Sequence, residues 1–318
     1  MSDPSATPRR VAVVGAGSIG VGWAIVFAVG GQEVRLQDTD PLRLSAAEAE
    51  IGARLADLES HELLREAPAV ALGRIGFHRE LGAALSDASH VQECVPEELE
   101  LKRALFSMMD VLAPPAAVLA SSSSFLPASA FAGTLPGRAR CLVIHPGNPP
   151  YLLRVAELVP APFTEPDAVE RAAGLLAACG MEPVRLKREV EGFVFNRLQG
   201  ALLREAYCLL RDGVAEVEDI DRLVRDGLGL RWSIIGPFET ADLNTRGGIA
   251  AHAARMGPSY RRMGAERGQD DPWTEELVAR ATAARRRALP IESWEARVAW
   301  RDRALMALLR CRKRGELG

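Results

Sequence analysis

Through the first half of the chain, short, almost unbroken apolar runs alternate with longer segments whose apolar residues return every three or four positions. The first kind lies at residues 11–14, 33–37, 74–78, 90–95, 117–120, 141–144, 155–159 and 183–186, and predicts strands of a sheet buried on both faces. The second kind, at 21–29, 41–60, between 78 and 90, and from Pro96 to about Leu112, predicts helices. A less regular helical piece after 60 runs to Leu72 and makes 41–72 an insertion relative to a minimal strand–helix–strand unit. Such alternation predicts an α/β fold with a doubly wound parallel sheet. From about Gly192 the strand-like runs stop, and helical periodicity marks 193–212, 216–227, 239–256, 273–288 and 292–313. The shift divides the chain into an α/β domain, 1–189, and an all-helical domain, 190–318, whose long apolar faces suit a homodimer.

No residue from Val11 to Gln32 is charged, which is long enough to cross a bilayer, but six glycines cut the run into two pieces of soluble length. A formal net charge of −3 over 318 residues gives no basic field for nucleic acid. The clusters Arg285–Arg287 and 310–314 read as solvated helix faces. Five cysteines without a C-x-x-C pair suit reduced thiols, and the polar start MSDPSATPRR lacks an apolar signal region, so a cytoplasmic location is expected. Neither paired cysteines, an H-E-x-x-H sequence nor a carboxylate triad predicts a metal.

One stretch organises the rest. After the strand at 11–14 come Gly15, Gly17 and Gly20 at G-x-G-x-x-G spacing, then a helix, then a strand that ends before Asp38. The first glycine lets the chain turn, the second lets backbone approach a pyrophosphate, and the third lets helix pack on strand. The helix start offers free N–H groups to phosphate, and Asp38 is placed to accept adenosine ribose hydroxyls and to repel a 2′-phosphate. The context predicts a Rossmann-type domain that binds NAD.

In open α/β sheets, ligands meet the carboxyl ends of the strands. Ser121–Ser124 follows one strand, and His145 closes another before the rigid sequence Pro146-Gly147-Asn148-Pro149-Pro150. Glu157 lies in the next apolar run, where an unpaired carboxylate is costly. Oxidising an alcohol requires removal of the hydroxyl proton, which suits histidine near neutrality, with a carboxylate on its other nitrogen to fix the tautomer. From spacing alone a single histidine such as His145 is more often structural than catalytic, and the serine run is equally open to being a loop. His61, His78, His90 and His252 have no comparable setting and read as structural.

The motifs VVGAGSIG, QECVPEELELK (92–102), SSSSF (121–125), HPGNPPY (145–151), ELVP (157–160), EGFVFNRL (191–198), DGLGLRWSIIGPFET (226–240) and WRDRALM (300–306) occur in one order. Together they resemble the lambda-crystallin, or L-gulonate 3-dehydrogenase, branch of the 3-hydroxyacyl-CoA dehydrogenase family over nearly the whole chain. The resemblance implies that His145 is the acid/base, Glu157 its orienting partner, and Ser124 and Asn196 hydrogen-bonding partners of the substrate oxygens. It also implies that amides near Ser18 and Ile19 hold the pyrophosphate and that Glu97 and Lys102 meet the nicotinamide side. Asn196 begins the helical half, so the expected substrate position is between the halves. Gly147 departs from the bulkier apolar residue of the family, an expected widening beside His145. The related β-hydroxyacid dehydrogenases use a lysine in the helical half, which lysines 102, 187 and 313 do not supply.

Arg231, in a segment that the acyl-CoA branch fills without arginine, is read as a clamp for the carboxylate of a free 3-hydroxy acid, or as a structural partner of Glu239 or Asp242. The expected activity is therefore NAD-dependent oxidation of a small-molecule 3-hydroxy acid to the 3-keto acid. The alternatives are an L-3-hydroxyacyl-CoA dehydrogenase and a non-catalytic protein that holds NAD(H).

Overall fold

The computed structural model describes residues 9–233, 235–246, 248–267, 276, 287 and 290–314. The polar start at 1–8, most of the helical segment expected at 273–288, and Arg285 and Arg286 lie outside the described residues.

Eight strands form one sheet: β1 (Arg10–Val14), β2 (Glu33–Gln37), β3 (Ile75–His78), β4 (His90–Glu93), β5 (Val118–Ser121), β6 (Cys141–Pro146), β7 (Val155–Pro160) and β8 (Glu182–Arg185). Their spatial order is β3-β2-β1-β4-β5-β6-β7-β8, the doubly wound arrangement with its switch point between β1 and β4. The helices α1 (Ser18–Val29), α2 (Pro41–Ser60), α3 (Pro68–Leu72), α4 (Leu81–Leu85), α5 (Leu99–Leu112), α6 (Ala128–Ala132) and α7 (Pro166–Ala178) accompany it. Two apolar cores result, one joining Trp23, Phe27, Ile51 and Leu55 to alternate strand residues, the other joining Phe106, Met109 and Phe131 to the remainder.

The sheet departs from the all-parallel expectation at one place. β7 runs antiparallel to β6, whereas every other pair is parallel. The connection from Pro146 to Val155 is too short for the dozen or more residues that a parallel crossover needs. That return places Glu157 directly opposite His145 in the ladder.

Next come α8 (Phe195–Arg211), α9 (Val217–Leu223), a π-helical turn at Val224–Leu228, α10 (Gly229–Trp232), α11 (Pro237–Leu243), α12 (Gly248–Arg267) and α13 (Trp294–Lys313). The single helix expected at 239–256 is two, because α11 ends at Leu243 and α12 starts at Gly248, whose φ is +71°. By internal packing, residues up to Arg197 group with those from Ala299 onward, and Leu198–Val298 form a second unit. The last helix joins the first unit through Met306, fully buried in its core, and through buried Asp302. Asp302 lies 3.4 Å from Tyr151 Oη and 3.6 Å from the Arg54 guanidinium. Among the described residues no helix is long and apolar enough to cross a membrane.

Candidate active site

Each glycine of the opening motif has a measurable reason. Gly15 has φ +103°, and a Cβ there would lie 3.0 Å from the Cys94 backbone. At Gly20 a Cβ would lie 1.8 Å from the Gly15 carbonyl oxygen, so only hydrogen fits. At Gly17 it would meet no protein atom within 4 Å, which leaves open space before the first amides of α1, Ser18 and Ile19. Asp38 is oriented by two backbone amides: Ala16 N–H donates to Oδ2 and Asp40 N–H to Oδ1, both at 3.0 Å. A cavity of about 470 Å³ beside it is lined by Gly15, Asp38, Thr39, Arg79, Leu101 and Met108. Open backbone at a helix start, a fixed carboxylate and an adjoining apolar-walled cavity fit the pyrophosphate, ribose and purine of a dinucleotide.

At the ends of β6 and β7, His145 Nδ1 lies 2.8 Å from Glu157 Oε2, both side chains buried. The other carboxylate oxygen accepts the amides of Val194 at 2.8 Å and Phe195 at 3.0 Å. Those amides are aimed by two residues in the left-handed region, Gly192 at φ +72° and Phe193 at +49°. Phe193 holds that conformation, at a strain of about 1–3 kcal/mol, while its fully buried ring packs 5.6 Å from the imidazole. Burial pushes the Glu157 carboxyl upward, but the bonds from His145, Phe195 and Val194 outweigh it and hold it below the usual carboxylate range. An ionised Glu157 fixes the proton on His145 Nδ1 and leaves Nε2 as the acceptor.

The serine run is an anchored loop. Glu97 Oε1 accepts the Ser123 hydroxyl and the amides of Phe125 at 2.7 Å and Leu126 at 2.9 Å. Burial raises the Glu97 carboxyl, and these bonds more than reverse the shift. Asn196 Nδ2 donates to the Ser124 carbonyl at 3.1 Å, which ties the loop to the start of α8. Ser124 Oγ and Asn196 Oδ1 make no protein hydrogen bond among the described residues, so both are available to substrate oxygens.

Lys102 is almost fully buried, and its ammonium meets both Glu93 oxygens at 2.9 Å and Ser121 Oγ at 3.3 Å. The Ser121 hydroxyl donates to Glu93 at 2.5 Å, and Glu93 Oε1 accepts the Val95 amide at 2.7 Å. From sequence Glu93 and Val95 carry no role and Ser121 only its place in the serine run, although an acid ending a buried strand nine residues before a helical lysine is a legible signal. A second buried network joins His90, Gln92, Ser122 and Trp23: Gln92 Nε2 and Trp23 Nε1 both donate to Ser122 Oγ, at 2.8 and 3.0 Å. Burial pushes His90 down to about 4, so it is neutral and structural at neutral pH.

Two other expectations have definite outcomes. A Cβ on Gly147 would lie 2.8 Å from Leu153 Cβ, so Leu153 already fills the space and the glycine does not widen the wall there. Arg231 is exposed on α10 in the second unit, and among the described residues it pairs with neither Glu239 nor Asp242; Asp242 accepts the Ile249 amide instead.

Comparison with known proteins places the chain in one family. The family model described as 3-hydroxyacyl-CoA dehydrogenase, NAD binding domain, matches residues 10–190, and that of the 3-hydroxyacyl-CoA dehydrogenase C-terminal domain matches 192–288. The chain is 40% identical to a lambda-crystallin homolog of Bos taurus over 321 residues, 97% of either chain. It is 38% identical to an L-carnitine dehydrogenase of Streptomyces griseus over 267 residues, 84% of this chain and 76% of that one. Among solved structures, an NAD+-dependent 5-formyl-3-hydroxy-2-methylpyridine 4-carboxylic acid 5-dehydrogenase superposes with a TM-score of 0.82. It is 28% identical, with 96% of this chain and 98% of that one covered.

Proposed function

Because the chain belongs to the 3-hydroxyacyl-CoA dehydrogenase family, and is an NAD-dependent oxidoreductase acting on CH–OH groups, we propose that it oxidises the 3-hydroxyl of a free 3-hydroxy acid to the 3-keto acid. L-Gulonate and smaller hydroxy acids are the substrate class. The observation that carries the reading is the buried His145–Glu157 pair at a strand end, with Glu157 locked by the two amides that open α8.

His145 Nε2 takes the hydroxyl proton as the C3–H bond breaks, and the electron pair of the O–H bond becomes the carbonyl π bond. NAD, when bound, supplies the acceptor for the hydride that leaves C3. Ionised Glu157 stabilises the imidazolium so formed, the Ser124 hydroxyl donates to a substrate oxygen, and Asn196 Oδ1 accepts from a substrate hydroxyl. Lys102 acts on the nicotinamide end by way of Glu93, which fixes the Val95 amide, and Glu97 acts there by fixing the serine loop. Arg231 clamps the substrate carboxylate. Its lack of a carboxylate partner among the described residues supports that role. The named substrates of two relatives, carnitine and a pyridine carboxylic acid, are free carboxylates rather than thioesters.

Exposed apolar residues on the second unit, among them Leu198, Leu202, Leu230, Trp232 and Phe238, support a homodimer formed through this part of the chain. Assay of a panel of free 3-hydroxy acids and their CoA thioesters by NADH absorbance tests the substrate class. Turnover confined to thioesters overturns it.

A further inference from the structure

Away from the residues of the redox site, two arginines line the same cavities and have no ion-pair partner among the described residues. Two cavities of about 240 Å³ each share Leu63, Arg65 and Arg154 as lining. One is completed by Cys179 and Gly180 at the end of α7, the other by Tyr151 and by Leu309 of α13. Arg154 is half-buried just before β7, three residues before Glu157. Its guanidinium passes directly over Gly180, where a Cβ would come within 2.9 Å of a terminal nitrogen. Gly180, at φ +75°, gives room for it.

Among the described residues neither guanidinium has a hydrogen bond or ion pair, in a chain whose other arginines are widely paired with acids. Burial and the neighbouring Arg65 charge both lower the affinity of Arg154 for its proton. The carboxyl end of α7 supplies a partial negative charge, but its carbonyls at Leu175, Leu176 and Ala177 are already taken by the amides of Cys179, Gly180 and Met181. The half-buried Arg154 charge, with the exposed Arg65 at the same cavity, is unfavourable unless an anion joins the two. Guanidinium groups bind tetrahedral oxyanions through paired N–H donors, which a lysine pair cannot match.

We propose that Arg154 and Arg65 form a binding site for a phosphate-type oxyanion, separate from the dinucleotide and hydroxy-acid sites. An occupant there fastens the turn after α2 to the start of β7 and the end of α7. Free phosphate and the phosphoryl group of a metabolite present the same chemistry.

The test is a titration of the full chain, saturated with NADH so that the pyrophosphate site is occupied, with inorganic phosphate or glucose 6-phosphate in separate arms. Binding is followed by calorimetry. Saturable binding is expected, weakened about tenfold or more in both Arg154→Met and Arg65→Met, which is about 1.4 kcal/mol. Tighter binding of phosphate than of the sugar phosphate identifies a free anion, and the reverse order identifies a phosphomonoester. Equal binding by wild type and both variants, or no saturation by about 50 mM of either probe, overturns the proposal. Should Arg154→Met fail to bind NADH, Arg154→Lys and Arg65→Met decide the matter by the same comparison.

Discussion

Glu157 joins His145 through one carboxylate oxygen and the start of α8 through the other. The residue that orients the base is therefore also the cap of the helix that carries Asn196. Replacing it should affect both activity and stability. Glu157→Gln is expected to lower kcat by about 10²–10⁴ with little change in KM, because the imidazolium loses its counter-charge. Glu157→Ala should in addition leave two amides unsatisfied and cost about 1–3 kcal/mol in urea unfolding. A Glu157→Gln variant with wild-type kcat contradicts the assignment.

Acid sensitivity follows from the same carboxylate and from Glu97. Burial alone would raise both, yet their hydrogen bonds hold both below the ordinary range. In the unfolded chain these groups titrate near about 4.3, so on acidification the unfolded state takes up protons first. Their stabilisation is complete above about pH 5 and is lost as pH falls through the folded-state values. Glu157→Gln and Glu97→Gln should each flatten the fall of stability below about pH 5. An unchanged slope in both contradicts the ionised pairing.

The glycines of the opening turn separate folding from binding. Gly20→Ala places a methyl 1.8 Å from the Gly15 oxygen and should prevent accumulation of folded protein. Gly17→Ala meets nothing within the protein and should fold, while NADH binding weakens about tenfold or more. Asp38→Asn should reduce the preference for NAD over NADP by about tenfold, since the carboxylate that repels a 2′-phosphate is gone. Wild-type cofactor affinity in Gly17→Ala contradicts the placement of the pyrophosphate.

Much of this architecture was legible in the sequence, because apolar runs bounded by glycines and prolines mark buried strands whatever their neighbours. All eight strands lie where the pattern places them, with shifts of one or two residues at their ends. Periodicity carries no information on strand direction, and so the reversal of β7 was missed, although the nine residues between His145 and Val155 already exclude a crossover helix. The break at Gly248 was hidden because apolar spacing continues across it. Within the site, the motif fixed Asp38 and the glycines, whereas Glu93 and Ser121 act through side-chain contacts between distant segments that no local pattern encodes. The widening expected at Gly147 failed for the same reason, since Leu153 folds back onto it.

Lys102 and Glu93 form a buried ion pair, with side chains 1% and 0% exposed. Lys102→Met leaves a carboxylate uncompensated and should destabilise the chain by about 3–5 kcal/mol, and adding Glu93→Gln should restore part of that. Denaturant unfolding of the single and double variants reads this coupling. A loss below about 1 kcal/mol in the single variant contradicts the pair's structural role.

Arg231→Met should raise KM for a free 3-hydroxy acid by about 10–100-fold and leave KM for a CoA thioester nearly unchanged, the signature of a lost carboxylate clamp. Equal effects on both substrates contradict it.

The central claim is that His145 removes the hydroxyl proton while taking no part in holding the dinucleotide. Steady-state oxidation of the best free 3-hydroxy acid by His145→Ala, paired with an NADH titration, tests it most directly. The expected result is a fall in kcat of about 10²–10⁴ with the NADH dissociation constant within about twofold of wild type. Turnover at the wild-type rate, or loss of NADH binding along with activity, would contradict it.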